Sequence, residues 1–186
     1  MKSTLILAIA FAASTFNISL EKNVDVVNSQ ITWKGHKVTG EHDGTIKLQE
    51  GTLQFDSKNQ LTGGSFTMDM TTLNVTDLEG EMKGNLEGHL KSDDFFSTEK
   101  HSTSKFVITK VEGKDGNYKV TGDLTIKGIS FPNTFNMTVK ENNTATANLK
   151  VDRTKYDIKF RSASFFDGLK DKAIYDEFDL NVSLKF

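Results

Sequence analysis

The feature that most narrows the fold is a stretch of strict alternation between Asp115 and Lys140. After Asp115-Gly116, the apolar or small residues Tyr118, Val120, Gly122, Leu124 and Ile126 alternate with Lys119, Thr121, Asp123, Thr125 and Lys127. Successive side chains of a strand point to opposite faces, so the pattern predicts a strand with one apolar and one wet face. Gly128 to Asn133, holding the only proline of the chain at Pro132, interrupts it. Phe135, Met137 and Val139 then alternate with Thr134, Asn136, Thr138 and Lys140, which predicts the antiparallel return strand.

The same device recurs along the chain. Ile46 and Leu48 alternate after Asp43-Gly44, a hairpin-type turn signal, and Leu53 and Phe55 resume after an interruption at Glu50-Gly51. Phe66, Met68 and Met70 follow the pair Gly63-Gly64, which marks a bulge or sharp bend. Shorter stretches at Val24–Val27 and Ile31–Trp33, a less regular run from Lys105 to Val111, and clean alternation over Ala145–Val151 complete the set. The chain ends on Phe178, Leu180, Val182, Leu184 and Phe186, as regular as the opening stretch, and a regular last strand suggests closure against the first ones. The expected fold is therefore all-β, an antiparallel barrel of about nine or ten short strands, with a two-sheet sandwich as competitor.

One segment breaks the period. Between Asp77 and Phe96, Leu78, Met82, Leu86 and Leu90 recur every four residues, the spacing of one helical face, while Gly80, Gly84 and Gly88 share another. Each glycine costs a helix about 1 kcal/mol against alanine, so this inserted helix should survive only by lying close against something, such as a barrel mouth or a sheet edge. Ser92 is placed to cap a short turn holding Asp93, Asp94, Phe95 and Phe96.

Closing about eight strands leaves an interior that side chains just fill or that holds one small ligand. The inward positions mix bulky Phe66, Phe135 and Phe178 with small Gly64, Gly122, Ala145 and Ala147, and the small ones should leave apolar room. The expected ligand-binding wall is Phe66 and Met68, Leu124 and Ile126, Phe135 and Met137, and Phe178 and Leu180. The pairs Phe95-Phe96 and Phe165-Phe166 fall in irregular segments, where exposed aromatics would gate a mouth, with Arg161 and Lys91 as candidate head-group contacts.

Several chemistries find no residues. The chain has no cysteine, which removes disulfides, thiolate nucleophiles and sulfur-based metal sites together. A net charge of -2 without a basic arm gives no footprint for nucleic acid. His36, His42, His89 and His101 lack ligand spacing; His36 and His42 flank Glu41 and Asp43 as an ordinary polar turn would. No phosphate loop or serine elbow is present, so neither metal, cofactor nor catalytic residue is expected. Lys2, the apolar run Leu5–Ala13 and the small residues around Ser14 fit a secretory signal peptide over residues 1–19, leaving a barrel domain over 20–186. The run is too short to span a bilayer.

Beyond these patterns, His89-Leu90-Lys91-Ser92-Asp93-Asp94-Phe95-Phe96, Ser104-Lys105-Phe106 and Gly122-Asp123-Leu124-Thr125-Ile126-Lys127-Gly128-Ile129 resemble signature segments of the YceI-like family. Asp152-Arg153-Thr154-Lys155-Tyr156-Asp157-Ile158 and Ser164-Phe165-Phe166-Asp167 are similar to its later segments, and the order and spacing hold from about Asn23 to Phe186. The resemblance implies a lipocalin-like barrel, periplasmic or secreted, that holds a polyisoprenoid, an isoprenoid quinone or a similar amphiphilic lipid, in stress response or lipid transport, without catalysis. An extracytoplasmic enzyme acting on an amphiphile and a packed-core structural or interaction protein remain the alternatives. Pairing with a second copy is left open.

Overall fold

The computed structural model describes residues 19–186, so the expected signal peptide lies almost wholly outside the described residues. Nine strands and one helix follow in order: β1 (Leu20–Asn23), β2 (Gln30–Lys37), β3 (Gly40–Phe55), β4 (Leu61–Val75), α1 (Gly80–Lys91), β5 (Thr103–Lys114), β6 (Asn117–Ile126), β7 (Ile129–Lys140), β8 (Thr144–Asp152) and β9 (Ile174–Lys185). Each of the strands β2 to β9 pairs antiparallel with its spatial neighbours, and pairing of β3 with β4 closes them into an eight-stranded barrel. β1 lies beside the far end of β3, on the edge that β2 occupies nearer the start. The last strand closes against β2 as its position suggested, Ile31 lying opposite Val182.

The turns show where local signals compete with tertiary pairing. Asp115-Gly116 does form a two-residue hairpin, with both residues at positive φ as a type I′ turn needs. Asp43-Gly44 does not: it lies inside β3, and the β2–β3 turn falls at Val38-Thr39. Glycine is required at 44 for space instead, because a Cβ there would stand 2.0 Å from the Asn74 carbonyl oxygen and 2.5 Å from the Trp33 ring. Glu50-Gly51 does not end a strand either, since β3 passes through it with a register shift between Leu48 and Glu50. Likewise β7 starts at Ile129, directly after a Lys127-Gly128 turn, so Pro132 sits within a strand opposite Asp123. β7 joins β8 only over Met137–Lys140, and this free edge tolerates a residue that lacks an N–H donor.

The two ends of the barrel differ. At one end the connections are short, and Phe55 stacks on Phe186 with centroids 5.7 Å apart. There the Tyr118 hydroxyl accepts from the Leu61 N–H at 3.2 Å, and Leu53 and Val120 are completely buried. The opposite end carries both long connections: α1 with the segment after it, and the excursion from Arg153 to Ala173.

Gly122, one of the small inward residues, does not leave the room expected of it. A Cβ at Gly122 would meet the Phe106 ring at 2.4 Å, so the glycine serves to admit that ring. Nor do the helix glycines permit close approach: nothing lies within 4 Å of a Cβ at Gly80, Gly84 or Gly88, and no residue of α1 is buried. Polar contacts tie the helix down, with the Glu87 carboxylate accepting from the Val75 N–H at 2.8 Å and Lys83 Nζ donating to Asn74 Oδ1 at 2.9 Å.

Opposite signs are expected for glycine substitutions in these settings. Gly84→Ala and Gly88→Ala should each raise stability by up to about 1 kcal/mol, as alanine's helix propensity dictates. Gly44→Ala should lower it by about 1–3 kcal/mol through overpacking, and urea midpoints of the variants check both signs.

Candidate functional site

Between the closed end and α1 the barrel surrounds a cavity of about 170 Å³. That exceeds the roughly 150 Å³ of an engineered apolar cavity able to hold benzene, yet falls short of the roughly 300 Å³ at which drug-sized pockets begin. The interior is neither solid nor spacious. Its borders are apolar side chains from all eight barrel strands. Phe66 and Met68 come from β4, Leu124 and Ile126 from β6, Phe135 and Met137 from β7, and Phe178 and Leu180 from β9, so alternation placed all eight on the cavity face. It missed Trp33 and Leu48, whose strands carry weak or interrupted patterns, and Phe106, whose strand alternates poorly; all three border the cavity.

The mouth differs more from expectation. Phe95 and Phe96 are not exposed gates: Phe95 is buried, Phe96 half-buried, and both line the cavity from above. Phe96 meets Phe178 edge-on at 6.2 Å, while the His89 ring of α1 stands edge-on to both Phe95, at 5.0 Å, and Phe160, at 4.5 Å. These rings clasp the two long connections together. Ser92 does not open the following turn by capping it; its hydroxyl donates back to the His89 carbonyl at 2.8 Å, ending α1. Phe165 and Phe166 are about half exposed, as expected, but neither borders the cavity, and neither do Arg161 and Lys91. Arg161 lies instead against the Phe160 ring, 5.2 Å from its centroid.

Two charged residues border the cavity, Glu177 and Arg153, and Arg153, at the start of the excursion, is 3% exposed. Its guanidinium donates to the carbonyls of Ile158 at 2.6 Å, Ile174 at 3.0 Å and Tyr175 at 3.0 Å, so three loop and strand carbonyls converge on one side chain. Asp176 stands 3.7 Å away as counter-ion. Burial opposes ionisation of Asp176, but hydrogen bonds from Ser162 and Ser164 and the Arg153 charge outweigh it and hold its carboxyl below the ordinary value. Arginine suits this place because its planar fork donates in several directions and stays charged when desolvated.

The histidines form no metal cluster among the described residues. His36 is not in a turn but on β2, where Nε2 lies 2.8 Å from Asp179 Oδ2; His42 pairs with Asp77 at 2.8 Å. Neither His89 nor His101 borders the cavity. Hydrogen bonds from Lys150 and then His36 hold Asp179 below its ordinary pKa.

Removing the clasp should cost far more than removing the surface cation beside it. Arg153→Met takes the counter-ion from Asp176 and the donors from three converging carbonyls, an expected loss of about 3–5 kcal/mol, whereas Arg161→Ala should stay within about 0.5 kcal/mol. Chemical denaturation of both variants decides this. A carboxylate whose folded pKa is depressed stabilises the fold above its unfolded pKa of about 3.9, and that stability is lost as pH falls through the lower folded value. Asp179→Asn should therefore flatten the fall in urea midpoint between about pH 5 and about pH 2.

Similarity to known proteins agrees with this geometry. Solved structures of like fold include Burkholderia cenocepacia BcnA, at 21% identity and TM-score 0.68 over 87% of this chain and 98% of that one. A polyisoprenoid binding domain from Saccharophagus degradans aligns at 12% identity and TM-score 0.55 over 87% of this chain and 95% of its own. Among sequence relatives, Protein YceI of Escherichia coli is 30% identical over 121 residues, 64% of this chain and 59% of that protein. A UPF0312 protein of Photorhabdus laumondii is 34% identical over 90 residues, 48% of this chain and 44% of that protein, so the chain spans about half the length of these relatives. The model of the YceI-like domain matches residues 23–186, and by that match the chain belongs to the YceI-like family.

Proposed function

We propose that this chain is an exported binding protein that holds the apolar chain of a polyisoprenoid, an isoprenoid quinone or a similar amphiphilic lipid inside its barrel. The observation that carries the reading is the cavity, to whose border every barrel strand contributes apolar side chains. Burial of a prenyl chain there gains about 25 cal/mol for each Å² of apolar surface taken from water. The likeness in fold to a polyisoprenoid binding domain supports the same class of ligand.

The cavity volume adds a condition. A long prenyl chain needs more than this space, so side chains must move, and the flexible thioethers of Met68, Met70 and Met137 on its wall can do so at small cost. A packed interaction protein is favoured by the half-exposed Phe165 and Phe166 but opposed by the unfilled interior. No helix among the described residues is long and apolar enough to cross a membrane.

Organic extraction of the purified protein followed by mass spectrometry should recover a stoichiometric isoprenoid. Repeated recovery of none, with no uptake of added quinone or prenol, overturns the reading. Ala147→Leu, which pushes an isobutyl group into the cavity, should cut the recovered lipid several-fold while costing less than about 1.5 kcal/mol of stability, because a packed core would resist the added volume and an unfilled one does not.

A further inference from the structure

One inward position of the barrel holds a hydroxyl where its neighbours are apolar. On β5 the inward residues Ser104, Phe106 and Ile108 all border the cavity, and Ser104 lies opposite Met68 of β4. The serine is 5% exposed. β5 begins at Thr103, after the connection that carries α1, so Ser104 stands at the mouth end of the cavity, which Phe95 and Phe96 also line.

Five serines and threonines are buried among the described residues, and four of them are engaged. Thr67 donates to the Glu50 carboxylate at 3.0 Å, Ser97 to Asp93, and Thr98 to the Lys91 carbonyl at 3.5 Å, while Ser162 accepts from the Ser164 N–H at 3.2 Å. The fifth, Ser104 on the cavity border, has no hydrogen-bond partner for its hydroxyl among the described residues. A hydroxyl kept from water without a partner costs free energy that an acceptor placed beside it recovers. The other polar groups on the border do not supply one. Arg153 is spent on three carbonyls, His36 is held by Asp179, and Tyr175 and Glu177 are exposed. A lone water is a poor occupant too, because a buried water needs several polar partners and the side chains around this hydroxyl are apolar.

We propose that Ser104 is the polar contact of the cavity. Its hydroxyl donates a hydrogen bond to an oxygen at one end of the bound lipid, and so selects an oxygenated chain over a plain hydrocarbon. This rests on the lipid-binding reading and orients the ligand: the oxygen lies at the mouth end and the chain runs toward the sealed end. A prenol hydroxyl and a quinone carbonyl share the required chemistry, since each oxygen accepts a hydrogen bond.

The test is displacement of the dye N-phenyl-1-naphthylamine from the full chain by farnesol, a two-isoprene ubiquinone and farnesene, on the native protein and on Ser104→Ala. Dye emission excited through Trp33, the only tryptophan of the chain and itself on the border, reports dye inside the cavity. The native protein should prefer farnesol, the quinone or both over farnesene. Ser104→Ala should weaken the preferred ligand about three- to tenfold, the worth of one hydrogen bond, and change farnesene less than about twofold. Weakening of farnesol alone identifies the ligand's oxygen as a hydroxyl, and weakening of the quinone alone as a carbonyl. In the ligand-free protein the same substitution should raise the urea midpoint, because it removes a buried hydroxyl that has no partner. No preference in the native protein, equal effects of the variant on all three competitors, an unchanged preference or a lowered urea midpoint overturns this role of Ser104 and leaves the lipid reading intact. Failure of all three competitors to displace the dye overturns both.

Discussion

Closure of the sheet on itself is the constraint from which the other features follow. Strand β3 pairs with β2 on one edge and β4 on the other, and this removes the long free edges that an open sheet of such strands would expose. Once closed, every inward side chain must share one space of fixed circumference, about the width at which eight strands either fill themselves or admit one slender guest. The bulges along β3 and β4 are part of the same solution, because a sixteen-residue strand can follow a closed wall only by bending.

The two ends divide the work. One is sealed by aromatic stacking and short turns and carries several of the fully buried side chains. The other bears both long connections, and its order rests on a few groups that reach between elements: the Arg153 guanidinium, the His89 ring and the Phe95–Phe160 contact at 5.7 Å. Helix α1 adds little burial of its own, with glycines facing open space and polar side chains as its moorings. An element held this way is drawn from the low end of local stability.

Much of the interior was legible from alternation alone. Where a strand is long and half-buried, as in β6 and β9, period two decides which side chains face inward, and no partner strand can change that without a register slip that turns the whole face over. The mouth was less legible. Phe95 and Phe165 both sit in adjacent phenylalanine pairs in irregular segments, yet one is buried against Phe160 and the other exposed under the Lys159 ammonium. Nothing local separates them, because their burial is decided by which distant segment arrives above them. One turn signal failed for a related reason: Asp43-Gly44 could have been a hairpin, as Asp115-Gly116 is, but Trp33 and Asn74 needed the space above Gly44.

The sequence by itself determined the class of fold, the inward set of the regular strands and the apolar character of what they enclose, since these depend on side-chain period and composition. Only the tertiary structure decided how much room remains and who lines the mouth. Those depend on differences of a few ångströms between elements far apart in the chain: a ring slipping over Gly122, an arginine gathering three carbonyls.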